Sequence, residues 1–369
     1  MKILILANND TGLFLFRKEL LQRLIEEGHT VYVSVPSGTM IQRLKGLGCK
    51  VTTCDLLDRR GKNPVKDLSL LHYYDRLLLH VRPDCVLSYT VKPNAYGGMA
   101  CARRGVPFIA NVTGLGDAIM RGGMLAKVTL LLYRQGLKKA DCVFFQNEEN
   151  LSFFRERGIT RGKTRLLPGS GVNTREYPLM PYPADEGEIR FLYAGRIMKD
   201  KGIEELLTAM RRLRKETRIL LDIAGACDED YEEALRTAEK EGLLFWHGMV
   251  EDVRPLYARA HCVVLPSYHE GMSNVLQEAA SCGRVTIASD VSGCKEIVDD
   301  GNTGFLCKPH DAESLYRAMV RFLQIHPSVR EEMGKAARKR MEERFDRARV
   351  IDAYLEETGE IFDRTRKER

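Results

Sequence analysis

Two hydrophobic rhythms alternate along the chain. Short apolar runs come first: "KILILA" (2–7), "TVYVSV" (30–35), "KVTTC" (50–54), "DCVLSY" (84–89), "VPFIANV" (106–112) and "DCVFFQN" (141–147). Their brevity and β-rich composition predict strands. Between them, apolar residues recur at helical spacing over 13–27 (closed by Gly28), 39–47 (closed by Gly48), 66–81, after Pro93 and over 124–138, which predicts amphipathic helices. Strand, helix and strand in succession require crossover connections and therefore a parallel sheet. Residues 1–170 are expected to form one doubly wound domain. "TRLLPGSGVNTREYPLMPYP" (164–183) gathers four prolines, which neither a helix nor a central strand accommodates, and a linker is expected at 171–188. The rhythm restarts with "IRFLYAG" (189–195), "ILLDIAG" (219–225), "LLFWHG" (243–248), "CVVLPS" (262–267) and "RVTIAS" (284–289), predicting a second doubly wound domain over 189–345. A last helical pattern at 346–366 follows that sheet and is expected to pack back onto the first domain. The expected class is α/β, with two Rossmann-like parallel sheets facing across a cleft and ligands held by loops at the carboxyl ends of the strands.

Composition agrees with two ordinary domains: 369 residues, 44% hydrophobic and 29% charged, enough to bury a sizeable core. Ten cysteines are scattered without C-x-x-C pairs or zinc spacing, which predicts reduced core residues in a cytosolic protein and no metal site. The apolar start of "MKILILANND" is too short for a signal peptide, and no apolar run reaches membrane-spanning length. Charge divides the chain unevenly. Residues 1–180 hold 27 Lys+Arg against 15 Asp+Glu, a net of +12, leaving 30 against 36, or −6, for 181–369. A basic half suits an anionic lipid surface or nucleic acid; ordinary solvated charge is the plain alternative.

The chemistry is expected on the strand-end loops. After "IRFLYAG" comes "GRIMKDKG", in which Gly195 lets backbone approach a ligand while Arg196 and Lys201 sit where a loop meets a helix start, a natural phosphate clamp. After "CVVLPS" comes "YHEGMSNVLQEAASCG" (268–283), where Ser273 or Asn274 can cap a helix whose amides face the loop. Glu270 precedes that helix and Glu278 lies one turn inside it. Carboxylates accept hydrogen bonds from paired hydroxyls, as on a sugar. A phosphate clamp, hydroxyl-binding carboxylates and a helix start together describe a sugar-nucleotide site.

"GRIMKDKG" and "PSYHEGMSNVLQEAASCGRVTIASDVSGCKEIVDDGNTGFL" resemble the retaining, GT-B-fold glycosyltransferases of family 4, and "LSYTVKPNAYGG" (87–98) with "NVTGLGDA" (111–118) resembles bacterial members that build capsule, O-antigen and other lipid-linked glycans. The resemblance implies that Arg196 and Lys201 bind the donor diphosphate, that Glu270 contacts the transferred sugar and that Glu278 holds the ribose, with Arg196, Lys201 and Glu270 as the catalytic set. Gly195 and the backbone amides of Gly271, Met272, Ser273, Asn274 and Val275 would line sugar and phosphate, while Gly248, Met249 and Val250 would flank the base. On the acceptor side it implies Asn9, Asp10 and Gly12, then Thr90 and Lys92, then Thr113, Gly114, Gly116 and Asp117. Many relatives have a proline at position 272 or 273 and a histidine near the fourth strand; this chain has neither there. No cofactor or metal is implied, only a nucleotide sugar as co-substrate, with UDP expected. The expected partners are that donor, a polyprenyl-diphosphate-linked glycan acceptor and an anionic membrane surface met by the basic half, at the cytoplasmic face of the inner membrane.

Rival functions leave less trace. A nicotinamide-dependent oxidoreductase needs G-x-G-x-x-G after its first strand, where "ANNDTGLF" stands instead. A sugar-nucleotide epimerase of similar fold would need no acceptor. A nucleic-acid-binding protein would interleave cations with a stacking aromatic array, and none is seen. The acids of "CDEDYEE" (227–233) read as a surface loop, and His247, His261 and His269 as core or loop histidines.

Overall fold

A computed structural model of the protein describes residues 1–57, 64–120, 122–185 and 187–368. They divide into two compact units, Met1–Ser170 with Ala348–Arg369, and Gly171–Arg347.

The first unit holds a seven-stranded sheet of β1 (Lys2–Leu6), β2 (Thr30–Val35), β3 (Lys50–Thr53), β4 (Cys85–Tyr89), β5 (Phe108–Val112), β6 (Cys142–Phe145) and β7 (Lys163–Leu166). Its order is β3-β2-β1-β4-β5-β6-β7, with every pairing parallel. One apolar cluster, including Leu4, Val86, Phe108 and Phe145, covers one face; another, including Ile3, Ile5, Leu87 and Phe144, covers the other. Two-sided burial is why β1, β4, β5 and β6 read as nearly unbroken apolar runs, while the edge strand β3, "KVTT", is mostly exposed. The apolar rhythm does not predict β7: "KTRL" places two cations beside Thr164 and Leu166, because an edge strand is covered on fewer sides.

Local chemistry sets the helix boundaries. The first helix spans Asp10–Glu26, starting three residues before the apolar pattern, because the Asn9 side-chain oxygen accepts from the Gly12 amide at 2.8 Å and caps it. A π-helical turn at Pro93–Gly97 follows β4. The terminal helix, Arg347–Glu368, belongs to the first unit from Ala348 onward. There Tyr354 stacks near Tyr89 and Phe144, its hydroxyl accepts from Asn111 at 2.6 Å, and Glu357 pairs with Lys163 and Arg165 at 2.9 Å.

The second unit holds β8 (Ile189–Ala194), β9 (Ile219–Ala224), β10 (Leu244–Trp246), β11 (Cys262–Leu265), β12 (Val285–Ser289) and β13 (Gly304–Cys307), in the order β10-β9-β8-β11-β12-β13, again all parallel. The sequence pattern does not predict β13, a four-residue strand. The proline-rich stretch 171–188, expected as a linker, lies in this second unit. Arg338 donates to the carbonyls of Thr174 and Tyr177, and Arg284 to those of Met180 and Pro181. Prolines bar this segment from a sheet, so guanidinium groups satisfy its carbonyls instead. All ten cysteines are unpaired and nine are buried. No helix among the described residues is long and apolar enough to cross a membrane.

Candidate functional site

In the second unit, β10, β9, β8 and β11 are neighbours in the sheet, so the loops at their carboxyl ends are gathered side by side. The loop after β8 carries Gly195, Arg196 and, at the end of a single 3₁₀ turn (Lys199–Lys201), Lys201. Gly195 has φ 146° and meets Gly225 at the end of β9 so closely that a Cβ on Gly225 (φ 155°) would lie 1.8 Å from the Gly195 carbonyl oxygen. Only glycine fits there.

Arg196 and Lys201 are each held by an acid from another loop. Arg196 Nη1 lies 2.8 Å from Asp228 Oδ2 in the loop after β9, and the guanidinium side chain is 41% exposed. Lys201 Nζ lies 2.6 Å from Glu270 Oε1, which also accepts from the Ser267 hydroxyl at 2.8 Å. The two residues assigned separately to phosphate and sugar are thus one ion pair. A Cβ on Gly202 would lie 2.1 Å from the Pro266 carbonyl oxygen, so a bare backbone at 202 lets the Lys201 turn press against the loop that carries Glu270.

Ser273 caps the helix Asn274–Ser281, its hydroxyl accepting from the Leu276 amide at 3.3 Å. The loop before it is braced from behind: the Ser273 amide donates to the Gly293 carbonyl, and a Cβ on Gly293 (φ 84°) would sit 2.8 Å from the carbonyl oxygens of both Glu270 and Gly271. Met272 is buried in the apolar core and Val275 packs on a second cluster, so these two side chains serve packing. Only their backbone amides remain candidates for ligand contact. Glu278, half-buried, accepts from the Tyr257 hydroxyl at 3.1 Å. Burial pushes its carboxyl up to about 7, although Tyr257, Arg347 and Tyr177 favour the charged form.

Gly248 (φ 62°) follows β10, and its carbonyl accepts from the Gly225 amide at 2.7 Å. Met249 is exposed and Val250 packs on the smaller cluster. Asp222, buried in β9, anchors this turn by holding His247 at 2.6 Å and Arg259 at 2.7 Å. Asp222, Gly225, Gly293 and Tyr257 carry no signal in the sequence, and Asp228, read there as a surface-loop acid, instead holds Arg196. Their contribution lies in contacts between residues far apart in the chain, which local motifs do not show.

In the first unit the candidate acceptor residues follow β1, β4 and β5, adjacent strands of that sheet. Several of their side chains are already engaged. Asn9 caps its helix, and buried Asp10 accepts from the Met40 amide at 2.8 Å, with Gly38 too close to tolerate a Cβ. Thr90 has φ 72° and bonds the Tyr89 carbonyl, while Lys92 pairs with Asp67 at 2.8 Å. Thr113, Gly114 and Gly116 line the half-buried loop after β5; the side chain of Asp117 is outside the described residues.

Residues 181–340 match the family described as glycosyl transferases group 1, and 16–169 match the glycosyl transferase 4-like domain. The chain is 26% identical over 331 residues, 85% of its length and 87% of the other's, to the N,N'-diacetylbacillosaminyl-diphospho-undecaprenol alpha-1,3-N-acetylgalactosaminyltransferase of Campylobacter jejuni. Its fold is similar to sucrose-phosphate synthase from Thermosynechococcus elongatus, with a TM-score of 0.82 at 20% identity over 98% of this chain and all of the other. It is also similar to Anabaena HepE in complex with UDP and glucose, with a TM-score of 0.78 at 19% identity over 97% and 99% of the two chains. With two matched family domains, two parallel-sheet units and GT-B neighbours in structure, the chain belongs to the family 4 glycosyltransferases of the GT-B fold.

Proposed function

We propose that this glycosyltransferase moves an N-acetylhexosamine, hexose or uronic acid, with retention of configuration, from a UDP-sugar to a polyprenyl-diphosphate-linked glycan during bacterial surface-polysaccharide or glycoconjugate synthesis. The observation that carries the donor reading is the convergence of Arg196, Lys201, Glu270 and the Ser273-capped helix on neighbouring strand ends. The lipid-linked acceptor rests on the activity of the Campylobacter jejuni relative, and UDP on the Anabaena complex.

In this reading the acceptor hydroxyl oxygen bonds to the anomeric carbon from the face the diphosphate leaves. The bond from that carbon to the β-phosphate oxygen breaks, and a phosphate oxygen takes the hydroxyl proton. Arg196, Lys201 and the amides of Asn274 and its neighbours balance the charge developing on the leaving diphosphate. Glu270 orients the sugar hydroxyls while its contact with Lys201 ties that end of the ligand to the clamp. Glu278 accepts from the ribose and Gly248–Val250 flank the base. The reaction calls on no metal and no covalent sugar intermediate, and the enzyme would meet its acceptor at the cytoplasmic face of the inner membrane.

The test is incubation with single UDP-sugars and a polyprenyl-diphosphate sugar, with the anomeric configuration of the product read by NMR. Transfer with retention is expected from at least one UDP-sugar. Release of an isomerised free sugar nucleotide without acceptor would instead make the chain an epimerase, and a trapped glycosyl–Glu270 would overturn the mechanism.

A further inference from the structure

The helix Gly123–Gly136 in the first unit has apolar residues on its outer face as well as against the core. Residues that pack inward are Ala126, Thr129, Tyr133 and Gly136. The small ones seat the helix tightly: a Cβ on Gly136 would lie 2.5 Å from the Ala95 carbonyl oxygen, and one on Gly98 would lie 2.1 Å from that of Gly136. Tyr133, Leu130 and Leu132 fill the inner side, and other bulky apolar residues are left outside. Met124 is 75% exposed, Val128 46% and Leu131 54%, at spacings of four and three that align them on one face. Met120, 48% exposed in the preceding turn, extends the same apolar run. Gly122 and Gly123, both left-handed with φ 72° and 74°, let the chain turn between the two helices. Single exposed apolar residues are ordinary, whereas an aligned set at this exposure marks a contact surface.

The charge of the segment narrows the partner. Residues 118–140 contain five Lys or Arg and no Asp or Glu, and Lys127, Arg134, Lys138 and Lys139 are exposed. A twofold contact with a second copy would set these cations against themselves, which like-charge repulsion opposes. Apolar side chains flanked by cations on a helix about 21 Å long, too short to span a bilayer, are the features of a helix lying in the interface of an anionic membrane.

We infer that the exposed face of Gly123–Gly136 docks the enzyme on the anionic headgroup layer of a bilayer, with Met124, Val128 and Leu131 inserted among the acyl chains and the flanking lysines on the headgroups. The inference rests on the reading of a polyprenyl-linked acceptor and gives that reading its surface.

The test is co-flotation of the full chain with vesicles of phosphatidylcholine alone or mixed with phosphatidylglycerol. The wild type is expected to float with the mixed vesicles and to be released by salt. Two glutamates, in Met124→Glu/Leu131→Glu, should lower the partition coefficient at least about tenfold. Lys127→Glu/Lys138→Glu should lower it at least as far, each lysine near the surface accounting for about fivefold. Exposed Lys240→Glu in the second unit should leave it unchanged. Failure of the wild type to float, or flotation of Met124→Glu/Leu131→Glu equal to wild type, overturns the inference. So does a dimer in sedimentation that this variant dissolves, since the occupant is then a second copy. Thermal unfolding with and without UDP checks that each variant folds and keeps its donor site. The underlying reading is tested apart, by transfer to a short-chain, water-soluble prenyl-diphosphate sugar without vesicles. Transfer there with no flotation removes the docking face alone, whereas flotation with no transfer removes the acceptor reading alone.

Discussion

Glu278 allows the sharpest quantitative test. An ordinary glutamate in the unfolded chain titrates near 4.5, while in the folded enzyme burial pushes Glu278 up to about 7. A raised carboxyl binds its proton more tightly when folded, so the folded state is favoured by acid. Below pH 4.5 both states are protonated and nothing is lost; between 4.5 and 7 the unfolded chain ionises first, and above 7 the penalty is complete. That gap amounts to about 3 kcal/mol at pH 8 and about 1 kcal/mol at pH 5. Glu278→Gln removes the titration while keeping an acceptor for Tyr257, so its stability relative to wild type should rise by about 2 kcal/mol between pH 5 and pH 8. In a unit of this size that is roughly 4–8 °C in the melting temperature. The assay is thermal unfolding of both proteins without ligand at the two pH values. In parallel, calorimetric titration with UDP should find wild-type binding strengthening as pH rises through 7, because only the ionised carboxyl accepts from both ribose hydroxyls, and weaker, pH-flat binding by Glu278→Gln. An equal stability difference at pH 5 and pH 8 would refute the raised carboxyl. A pH-flat wild-type affinity equal to that of the variant would refute its contact with the nucleotide.

Three other outcomes are expected. Lys201→Met should lower kcat/KM about a hundredfold, and because Lys201 and Glu270 form one pair, adding Glu270→Gln should cost less than the two separate losses multiplied, as steady-state kinetics of the double-mutant cycle will show. Asp228→Asn should release Arg196 and tighten UDP binding up to about fivefold in calorimetry, with stability changed by less than about 1 kcal/mol because that pair is partly exposed; unchanged affinity would mean that Asp228 does not compete with the donor. Gly225→Ala, placing a methyl 1.8 Å from the Gly195 carbonyl oxygen, should abolish the UDP-induced rise in melting temperature and lower stability by about 1–3 kcal/mol.

Short-range chemistry explains what was legible in advance. Strands buried on both faces had to be apolar throughout, so nine of the eleven read from "KILILA" to "RVTIAS" stood out by that alone and the edge strands β3 and β10 by their place in the alternation, whereas the short β7 and β13 could not be read. Asn9 and Ser273 cap their helices through amides three residues on, an interaction contained within four consecutive residues. The phosphate loop and the glutamate-bearing helix were readable for the same reason.

Tertiary structure decided what depends on groups distant in sequence. It brought Lys201 to Glu270 across 69 positions and Arg196 to Asp228 across 32. It also buried Glu278 beside Tyr257 and turned Met272 into the core. Sequence by itself determined the α/β class, the alternation of elements and the residue types offered for phosphate and hydroxyls, because propensity and capping act over a few residues. Which acid neutralises which cation, which carboxyl titrates near neutrality and which helix face remains apolar in water were decided only by folding, because burial and charge pairing are properties of neighbours in space.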